Sequence, residues 1–388
     1  MEIRNVFEAD VRSKYVLLRD DFNVQIVDGE ITETFRIDAS MPTIKYLMEN
    51  GARVVICSHL GRPKGEKDPE LSLRCVAEYM NIPFISDCLD KSFLSNMKDG
   101  DVVLLENLRF YAGEEENDDE FAKKLSEGFD VYVNDAFAVS HRAAASTVGV
   151  TKYLPSFAGI LLDKEIKNLT KVLHNPTHPL IAYIGGSKIS SKIDVLKNIV
   201  KVADKMVIGG AMGTTFNYVL GLPVGNSLYE KDMIDTVKEI MSVADENNCE
   251  ILLPIDKGVG QEFDKTALRE NRMVDEIKEK DIIMDDGEKT TQRNIDLLKD
   301  AKTVIWNGPF GLAEWGELWG RSSFEFARAL AKYTKSGDIE SVVGGGDTVA
   351  VLDASGVLDD ISYVSTGGGA FLEFIEGKTL PGIKVLEK

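Results

Sequence analysis

Short apolar runs alternate with helical patterns along the whole chain, and this alternation constrains the fold more than any other sequence feature. In the first half the predicted strands are YVLLR (15–19), RVVICS (53–58), DVVLLE (101–106) and VYVND (131–135). In the second half they are LIAYI (180–184), KMVI (205–208), EILLPI (250–255), TVIWN (303–307), SVV (341–343) and SYVS (362–365). Strands that are apolar on both faces and alternate with helices indicate parallel sheets covered on two sides. Ligands of such α/β folds bind beyond the carboxyl ends of the strands.

The length of 388 residues exceeds what one compact core usually holds, so we expect two domains. The two halves meet at residues 161–179. There, Leu162, Ile166, Leu169 and Leu173 recur at helical spacing before NPTHP interrupts the helix. We interpret this stretch as a connecting helix followed by a hinge.

The chain carries 45 Lys and Arg against 64 Asp and Glu, a formal net charge of −19. This charge argues against nucleic acid and anionic membranes as partners, and it requires any anionic substrate to meet a local concentration of Arg and Lys. The four cysteines show no C-x-x-C spacing, which argues against a zinc or redox motif. Since neither an apolar signal core nor a membrane-spanning run is present, we expect a cytoplasmic protein.

Four strands of the second half run directly into glycine turns: GGSK (185–188), GGAMG (209–213), GGGDT (344–348) and GGGA (367–370). Each alone is most simply a tight strand-to-helix connection, but together they expose backbone N–H groups suited to phosphates. Lys188 and Lys192 are predicted on one face of the opening turns of a helix, where a bound anion would explain them. Otherwise they form a solvated face. Asp347 is either a helix N-cap or a carboxylate that holds Mg²⁺.

Charged side chains of the first half follow the predicted strands, and Arg36, Arg62, Arg109 and Arg142 recur after strand-and-turn units. Each is individually more often a surface ion-pair partner, but guanidinium groups on one rim would clamp a carboxylate or phosphate. The loop SHLGRPKG (58–65) contributes Arg62 and His59, and the loop alone leaves His59 open as a ligand or a catalytic base. A small polyanion on the first half and a nucleotide with Mg²⁺ on the second indicate phosphoryl transfer.

The ordered motifs closely resemble those of the phosphoglycerate kinase family over nearly the whole chain. They are RDDFNV (19–24), SHLGRPKG (58–65), LLENLRF (104–110), VNDAF (133–137), HRAAAS (141–146), GGSK with SK (185–192), WNGPFG (306–311), VVGGGDT (342–348) and VSTGGGA (364–370). The resemblance implies two doubly wound, Rossmann-like parallel-sheet domains joined by a helix and hinge, and reversible phosphoryl transfer from 1,3-bisphosphoglycerate to ADP, giving 3-phosphoglycerate and ATP, with Mg²⁺. The expected division is 1–160 for the triose domain, 161–178 for the helix and hinge, 179–370 for the nucleotide domain and 371–388 for a C-terminal segment that packs back on the first domain. We further expect a monomer whose domains close by hinge bending.

The resemblance also implies the site residues, position by position. For the triose (3-phosphoglycerate) they are Asp21, Phe22, Asn23, Arg36, His59, Leu60, Gly61, Arg62, Arg109 and Arg142. For the nucleotide they are Gly186, Ser187, Lys188, Lys192, Gly210, Asn307, Pro309, Leu312, Glu314, Gly345, Gly346, Asp347 and Thr348, with Asp347 at the metal. The groups expected to act in catalysis are Arg36, Lys188, Lys192, Gly345 and Gly346. Because both phosphoryl acceptors are already ionised near neutral pH, no general base is needed, and His59 is interpreted as a binding and orienting residue.

The chain departs from the usual family pattern at three notable positions. Family members usually have a small apolar residue between the arginine and aspartate of RDDFNV and end the motif in proline, whereas this chain has Asp20 and Gln25. Ser191 stands where an aspartate often precedes the second lysine. The extra carboxylate of Asp20, next to Asp21, is expected to weaken anion binding in this loop.

Two other classes of function are less consistent with the sequence. A dinucleotide-dependent oxidoreductase would need a G-x-G-x-x-G fingerprint, but after Gly344 and Gly346 the last position is Val349. A catalytically silent two-domain binding protein would be favoured if Arg36, Lys192 or Asp347 were absent, and all three are present.

Overall fold

The computed structural model describes residues 2–27 and 29–388, which form two units. Unit 1 comprises the residues up to Lys167 together with Lys378–Lys388, and unit 2 comprises Asn168–Gly377. Each unit contains a six-stranded sheet in which all strand pairs are parallel. The predicted α/β class with two parallel sheets is therefore confirmed.

Unit 1 is built on a sheet whose strand order is β5-β6-β4-β1-β7-β8. The strands of unit 1 are β1 (Tyr15–Arg19), β2 (Ile26–Val27), β3 (Glu30–Ile31), β4 (Arg53–Cys57), β5 (Phe84–Ile85), β6 (Val102–Leu105), β7 (Val131–Asn134) and β8 (Ser156–Ala158). Strands β2 and β3 form a separate antiparallel pair. The strand order changes direction between β1 and β7, and this is the switch point where ligand crevices of open α/β sheets lie.

The helices of unit 1 cover both faces of its sheet. They are α1 (Phe35–Glu49), α2 (Arg74–Met80), α3 (Ala112–Glu115) and α4 (Asp119–Ser126). Successive β1 residues alternate between two cores: Val16 and Leu18 pack with Ile44 of α1, whereas Leu17 packs with Phe121 of α4. This alternation is why the strands read as continuous apolar runs.

Helix α5 (Ile160–His174) carries the chain from unit 1 to unit 2, since the division falls between Lys167 and Asn168. It corresponds to the helix predicted to open the connecting segment. The expected roles of the two domains remain predictions.

Unit 2 has the strand order β11-β10-β9-β15-β16-β17 in its main sheet. The strands of unit 2 are β9 (Leu180–Ile184), β10 (Lys205–Ile208), β11 (Glu250–Leu252), β12 (Asp256–Gly260), β13 (Glu270–Met273), β14 (Ile282–Asp286), β15 (Thr303–Asn307), β16 (Glu340–Gly344) and β17 (Tyr363–Val364). Counting only the parallel strands in chain order, this is the order 3-2-1-4-5-6 of nucleotide-binding doubly wound sheets. The switch point lies between β9 and β15.

Helices α6 to α12 belong to unit 2. They are α6 (Ile193–Ile199), α7 (Gly210–Val219), α8 (Ile234–Glu246), α9 (Glu288–Asp296), α10 (Glu317–Lys335), α11 (Gly346–Ala354) and α12 (Gly369–Ile375). The prediction that Lys188 and Lys192 lie in the opening turns of a helix is wrong, because α6 begins at Ile193 and Lys192 is its N-cap. Positive side chains are unfavourable in a first helical turn, and the preceding residues form a turn instead.

Strands β12, β13 and β14 form an antiparallel sheet that the sequence pattern did not predict. Their sequences, DKGVG, ENRM and IIMDD, lack an apolar alternation. Buried ion pairs replace apolar contacts here: Lys257 Nζ lies 2.7 Å from Asp286 Oδ1, and both side chains are at most 1% exposed. Arg269 Nη1 lies 2.6 Å from Asp285 Oδ2.

The last residues of the chain pair with the first ones in unit 1. Ile3 and Glu387 form an antiparallel bridge, and Arg4 Nη2 donates to the Val385 carbonyl at 3.0 Å. Short helix α13 (Pro381–Lys384) lies in this segment, and Gly382 accepts a 3.2 Å hydrogen bond from the Asn134 amide. Residues 371–377, which were predicted to belong to the C-terminal segment, fall in unit 2 because α12 packs against α6.

All four cysteines are free thiols. Among the described residues, no helix combines the length and apolar character needed to cross a membrane.

Candidate active site

The loop that follows β1 links three of the predicted triose residues. Arg36 Nη1, at the start of α1, lies 3.1 Å from Asp21 Oδ2 and donates to the Asn23 carbonyl at 2.9 Å. The Asn23 side-chain oxygen in turn accepts a 2.8 Å bond from the Gly61 amide. These bonds hold the loops after β1 and β4 against the first turn of α1.

His59 is 3% exposed and lies next to Asp21. Its Nδ1 is 3.3 Å from Arg19 Nη2 and 3.6 Å from Asp21 Oδ1. Burial lowers the pKa of His59 well below its ordinary value, and the positive charges of four nearby arginines lower that pKa further. The imidazole is therefore neutral near pH 7. Because arginine can only donate, Nδ1 accepts and the ring proton resides on Nε2, which makes Nε2 a hydrogen-bond donor.

Arg109 and Arg142 share one carboxylate. Glu115 Oε1 lies 3.4 Å from Arg109 Nε and 3.9 Å from Arg142 Nη1. Arg109 is nearly buried and also donates from Nη1 to the Gly61 carbonyl at 2.7 Å. Glu115 thus occupies a position between two guanidinium groups that an anionic ligand would otherwise take.

Three other predicted triose residues lie apart from this hydrogen-bonded network. Arg62 is exposed. Phe22 and Leu60 lie in the hydrophobic core, so they can offer a ligand only backbone atoms. A cavity of about 1030 Å³ begins beside Asn23 and Gly61 and continues along the loop before α2.

In unit 2 the predicted nucleotide residues gather at the switch point between β9 and β15. Lys192 Nζ donates to the Gly185 carbonyl at 2.8 Å, just after β9, and to Asn307 Oδ1 at 2.7 Å, at the end of β15. Burial lowers the pKa of Lys192 to about 8, while the nearby charge of Asp347 acts in the opposite direction. The ammonium is therefore held by backbone and amide oxygens at the carboxyl ends of the strands.

Glycines allow this close approach. A Cβ at Gly308 would lie 2.3 Å from the Gly185 carbonyl oxygen and 2.9 Å from Lys192 Nζ. At Gly210, where φ is +65°, a Cβ would lie 2.9 Å from the Gly186 carbonyl oxygen. Side chains at either position would displace the loops that surround the ammonium.

The GGGDT turn connects β16 to α11. Gly345 has φ +97° and is the N-cap, so Gly346 and Asp347 are the first residues of a nine-residue helix. The Asp347 carboxylate is exposed, whereas Thr348 is buried and its Oγ1 accepts from the Gly308 amide at 2.7 Å. The N-terminus of α11 therefore presents backbone N–H groups and the exposed Asp347 carboxylate near Lys192.

The Asn307 side chain forms hydrogen bonds with two other parts of the site. Besides accepting from Lys192, it donates from Nδ2 to the Gly344 carbonyl at 2.7 Å. It therefore fixes the β15 and β16 ends relative to each other. The remaining predicted nucleotide residues lie at the surface or partly buried in the same loops; they are Gly186, Ser187, Lys188, Pro309, Leu312 and Glu314.

Magnesium was predicted at Asp347. Among residues 2–27 and 29–388, no group of three or more His, Cys, Asp or Glu side chains forms a metal centre. A single exposed carboxylate nevertheless fits Mg²⁺, which is usually held by one or two carboxylates while phosphate oxygens and water complete its shell.

Sequence reasoning missed Arg19, Glu115 and the role of Asn307. Arg19 ends a buried strand and contacts His59. A charged residue at the end of an apolar strand could have indicated a functional role for Arg19. Glu115 lies in an acidic run, residues 114–120, for which no functional role was predicted from the sequence. The contact between Glu115 and the arginines depends on tertiary structure, so no local pattern indicates it.

Comparison with known proteins agrees with this arrangement. The family profile described as phosphoglycerate kinase matches residues 6–378. The chain is 48% identical over 385 residues to the phosphoglycerate kinase of Borrelia garinii, covering 97% of this chain and 96% of that protein. It is 44% identical to that of Brucella abortus, covering 100% of both chains.

Solved structures show the same similarity. The phosphoglycerate kinase of Coxiella burnetii superposes with a TM-score of 0.88 at 39% identity, covering 99% of both chains. That of Pyrococcus horikoshii gives 0.85 at 31% identity, covering 99% of this chain and 98% of the other. The chain therefore belongs to the phosphoglycerate kinase family.

Proposed function

We propose that this chain catalyses reversible transfer of a phosphoryl group from 1,3-bisphosphoglycerate to ADP, giving 3-phosphoglycerate and ATP. The observation that carries this proposal is the position of Lys192 at the switch point of unit 2, held by Gly185 and Asn307 beside the N-terminus of α11. A sheet order of this type, with glycine turns at its carboxyl ends, suits the phosphates of a nucleotide. The arginine network of unit 1 suits a smaller anion.

In unit 1, Arg36, Arg109 and Arg142 supply guanidinium groups to the triose, and His59 donates from Nε2. The neutral imidazole adds a directed hydrogen bond without further positive charge. Asp21 forms an ion pair with Arg36, with Nη1 3.1 Å from Oδ2, and this pair restricts the orientation of that guanidinium. This division of roles agrees with a histidine that orients substrate and removes no proton.

In unit 2, Lys192 and the first N–H groups of α11 stabilise negative charge on the transferring phosphoryl group. Asp347 would hold Mg²⁺, which neutralises phosphate charge when it is bound with the nucleotide. Because the acceptor is already an anion, catalysis consists of positioning and charge neutralisation. Hinge closure and a cytoplasmic location remain predictions.

A coupled assay tests the reaction directly. With 3-phosphoglycerate, ATP and Mg²⁺, the purified protein is expected to form ADP and an acyl phosphate, measured through reduction of the acyl phosphate by a coupling dehydrogenase. Omission of 3-phosphoglycerate is the control, since ATP turnover without it would indicate hydrolysis. Absence of acyl phosphate formation in the complete mixture would contradict the proposal.

Replacing Glu115 with glutamine is expected to lower the KM for 3-phosphoglycerate by about two- to fivefold, because a competing carboxylate is removed from Arg109 and Arg142. The effect is small because the Glu115 side chain is 42% exposed, and exposed pairs contribute about 0.2–1 kcal/mol. The neighbouring Glu116→Gln, at an exposed helix cap, is the matched control. A raised KM in Glu115→Gln would show instead that Glu115 holds the arginines in their binding positions.

A further inference from the structure

Two carboxyl groups stand side by side at the switch point of unit 1. Asp20 directly follows β1 and Asp135 directly follows β7, and the register of these parallel strands pairs Arg19 with Asn134. The Asp135 amide donates to the Arg19 carbonyl at 2.8 Å, which continues that register by one step. Adjacent strands lie about 4.8 Å apart, so the two side chains project from neighbouring positions.

Both side chains are completely buried, with 0% exposure. Asp135 Oδ1 accepts a 2.9 Å hydrogen bond from the Leu162 amide in the first turn of α5. Within the part of the chain that the structure describes, neither Asp20 oxygen nor Asp135 Oδ2 has a hydrogen-bond partner. Three of the four carboxyl oxygens of the pair therefore lack a hydrogen bond of normal geometry. The Ser40 hydroxyl, which donates to the Arg36 carbonyl, and the Thr43 hydroxyl lie near Asp20 and Asp135 and oppose the rise of their pKa values only in part.

Arg19 is close to the pair, but each of its three nitrogens contacts another group. Nε donates to Ser146 Oγ at 2.8 Å, Nη1 to the backbone carbonyl of Asp20, and Nη2 contacts His59 Nδ1. The guanidinium thus gives the carboxyl oxygens electrostatic stabilisation without a hydrogen bond. A buried carboxylate lacking such a bond is costly, and two of them together are costlier still.

The other elements around the pair add little positive charge. Helix α1 contributes the hydroxyl groups of Ser40 and Thr43, whereas α5 contributes Glu165 and the N–H groups of its first turn. Asp21 follows on the chain. The titratable groups that face the pair are therefore one arginine and two further carboxyls.

Burial raises the pKa of both groups. Asp135 is shifted to about 7 and Asp20 well above its ordinary range, and the charge of Asp135 is the second cause of the Asp20 shift. A protonated carboxyl both donates and accepts, so one proton between the two groups gives an oxygen of each a partner.

We propose that Asp20 and Asp135 share one proton in the folded protein and that Asp20, so protonated, is a positioning residue for the triose site. The second part rests on the proposed function. Asp20 lies between Arg19, which bonds His59, and Asp21, which pairs with Arg36. Ionisation of both carboxyls drives the ends of β1 and β7 apart and displaces Asp21 and Arg19 with them. The shared proton also explains how the site tolerates Asp20, since the pair carries one negative charge where two were expected.

Infrared spectroscopy tests the shared proton directly. At neutral pH the unmodified protein is expected to show the carbonyl stretching band of a protonated carboxylic acid, and Asp20→Asn is expected to lose it. Asp10→Asn, at an exposed aspartate, should keep the band. If Asp20→Asn does not fold, Asp135→Asn serves as the second variant, and it too should lose the band. A band that survives both replacements, or is absent from the unmodified protein, overturns the proposal.

The pH dependence of stability supplies a second measurement with a defined sign. The folded pKa of Asp135 lies at about 7, above its ordinary 3.8, so the folded state binds more protons between these values. Stability from this group is present below about pH 4 and is lost as the pH rises through about 7. Circular dichroism of urea unfolding should show a steeper loss in this window for the unmodified protein than for Asp20→Asn. Equal slopes contradict a shared proton.

Substrate kinetics distinguish the positioning role from a purely structural one. In the unmodified protein the KM for 3-phosphoglycerate is expected to rise at alkaline pH, and in Asp20→Asn this rise should be lost. An unchanged pH profile in Asp20→Asn refutes the positioning role. The infrared result needs no catalytic activity, so a protein that shows the band and fails the coupled assay would refute the proposed function and leave the proton pair standing.

Discussion

Replacing Lys192 with alanine is expected to lower kcat by about 10²- to 10³-fold, the usual cost of removing one preorganised charge that stabilises a transition state. The loss follows from its position, because Gly185 and Asn307 hold the ammonium at the switch point where we propose that the phosphoryl group transfers. ADP affinity should change far less, since the other N–H groups of the site remain. Steady-state kinetics and calorimetric ADP titration measure the two effects separately.

The matched control is Lys201→Ala, which removes an exposed lysine of the same unit. Near-normal turnover in Lys192→Ala would refute the assigned role. Arg36→Ala, in unit 1, is expected to show the same pattern of a large kcat loss and a small change in ADP affinity. In the unmodified enzyme, kcat/KM for the nucleotide should fall as the pH rises through about 8, where free Lys192 loses its proton.

Replacing Lys257 with methionine is expected to destabilise unit 2 by about 3–5 kcal/mol, because it leaves Asp286 as a buried, uncompensated carboxylate. Besides the ion pair, Lys257 Nζ donates to the Gly210 carbonyl at 3.2 Å. All three tryptophans, Trp306, Trp315 and Trp319, belong to unit 2. Tryptophan fluorescence during urea unfolding therefore reports on this unit alone.

The double variant Lys257→Met with Asp286→Asn provides the control. Removing both charges should recover most of the lost stability, since the penalty comes from the unpaired carboxylate and not from the missing attraction. If the single and double variants are equally unstable, the loss arises from packing around residue 257. If Lys257→Met is as stable as the unmodified protein, the pair has no structural role.

The parallel sheets could be predicted because their strands are buried on both faces, so their sequences carry the signal themselves. Strand β15, TVIWN, is completely buried and reads as apolar almost throughout. The antiparallel sheet could not be predicted in this way, since β12 reads DKGVG and is equally buried. There, polar side chains are compensated by partners distant in sequence, such as Lys257 by Asp286, and no local pattern records such pairs.

The candidate site was predictable to a similar extent. Charged residues directly after strands were correctly expected at the carboxyl-end edge of each sheet, because parallel strands end on the same side; that ligands bind there stays a prediction. The sequence could not indicate which polar side chains form hydrogen bonds or ion pairs with one another. Lys192 was predicted on a helix face, but its ammonium bonds to Asn307, at the end of β15 and 115 residues away along the chain. Similarly, Asp20 and Asp135 are separated along the chain and meet only because β1 and β7 are neighbours.

The return of Lys378–Lys388 to unit 1 has a consequence for synthesis on the ribosome. Unit 2 is continuous in sequence, so every residue it needs has been made once Gly377 is joined. Unit 1 begins first, yet the partners of Ile3 and Arg4 are Glu387 and Val385, which follow unit 2 in the chain. Domains usually fold in the order in which they emerge. In this chain the unit that starts first is completed only after all of unit 2 has been translated, so Ile3 and Arg4 stay without these partners until residues 378–388 have emerged from the ribosome.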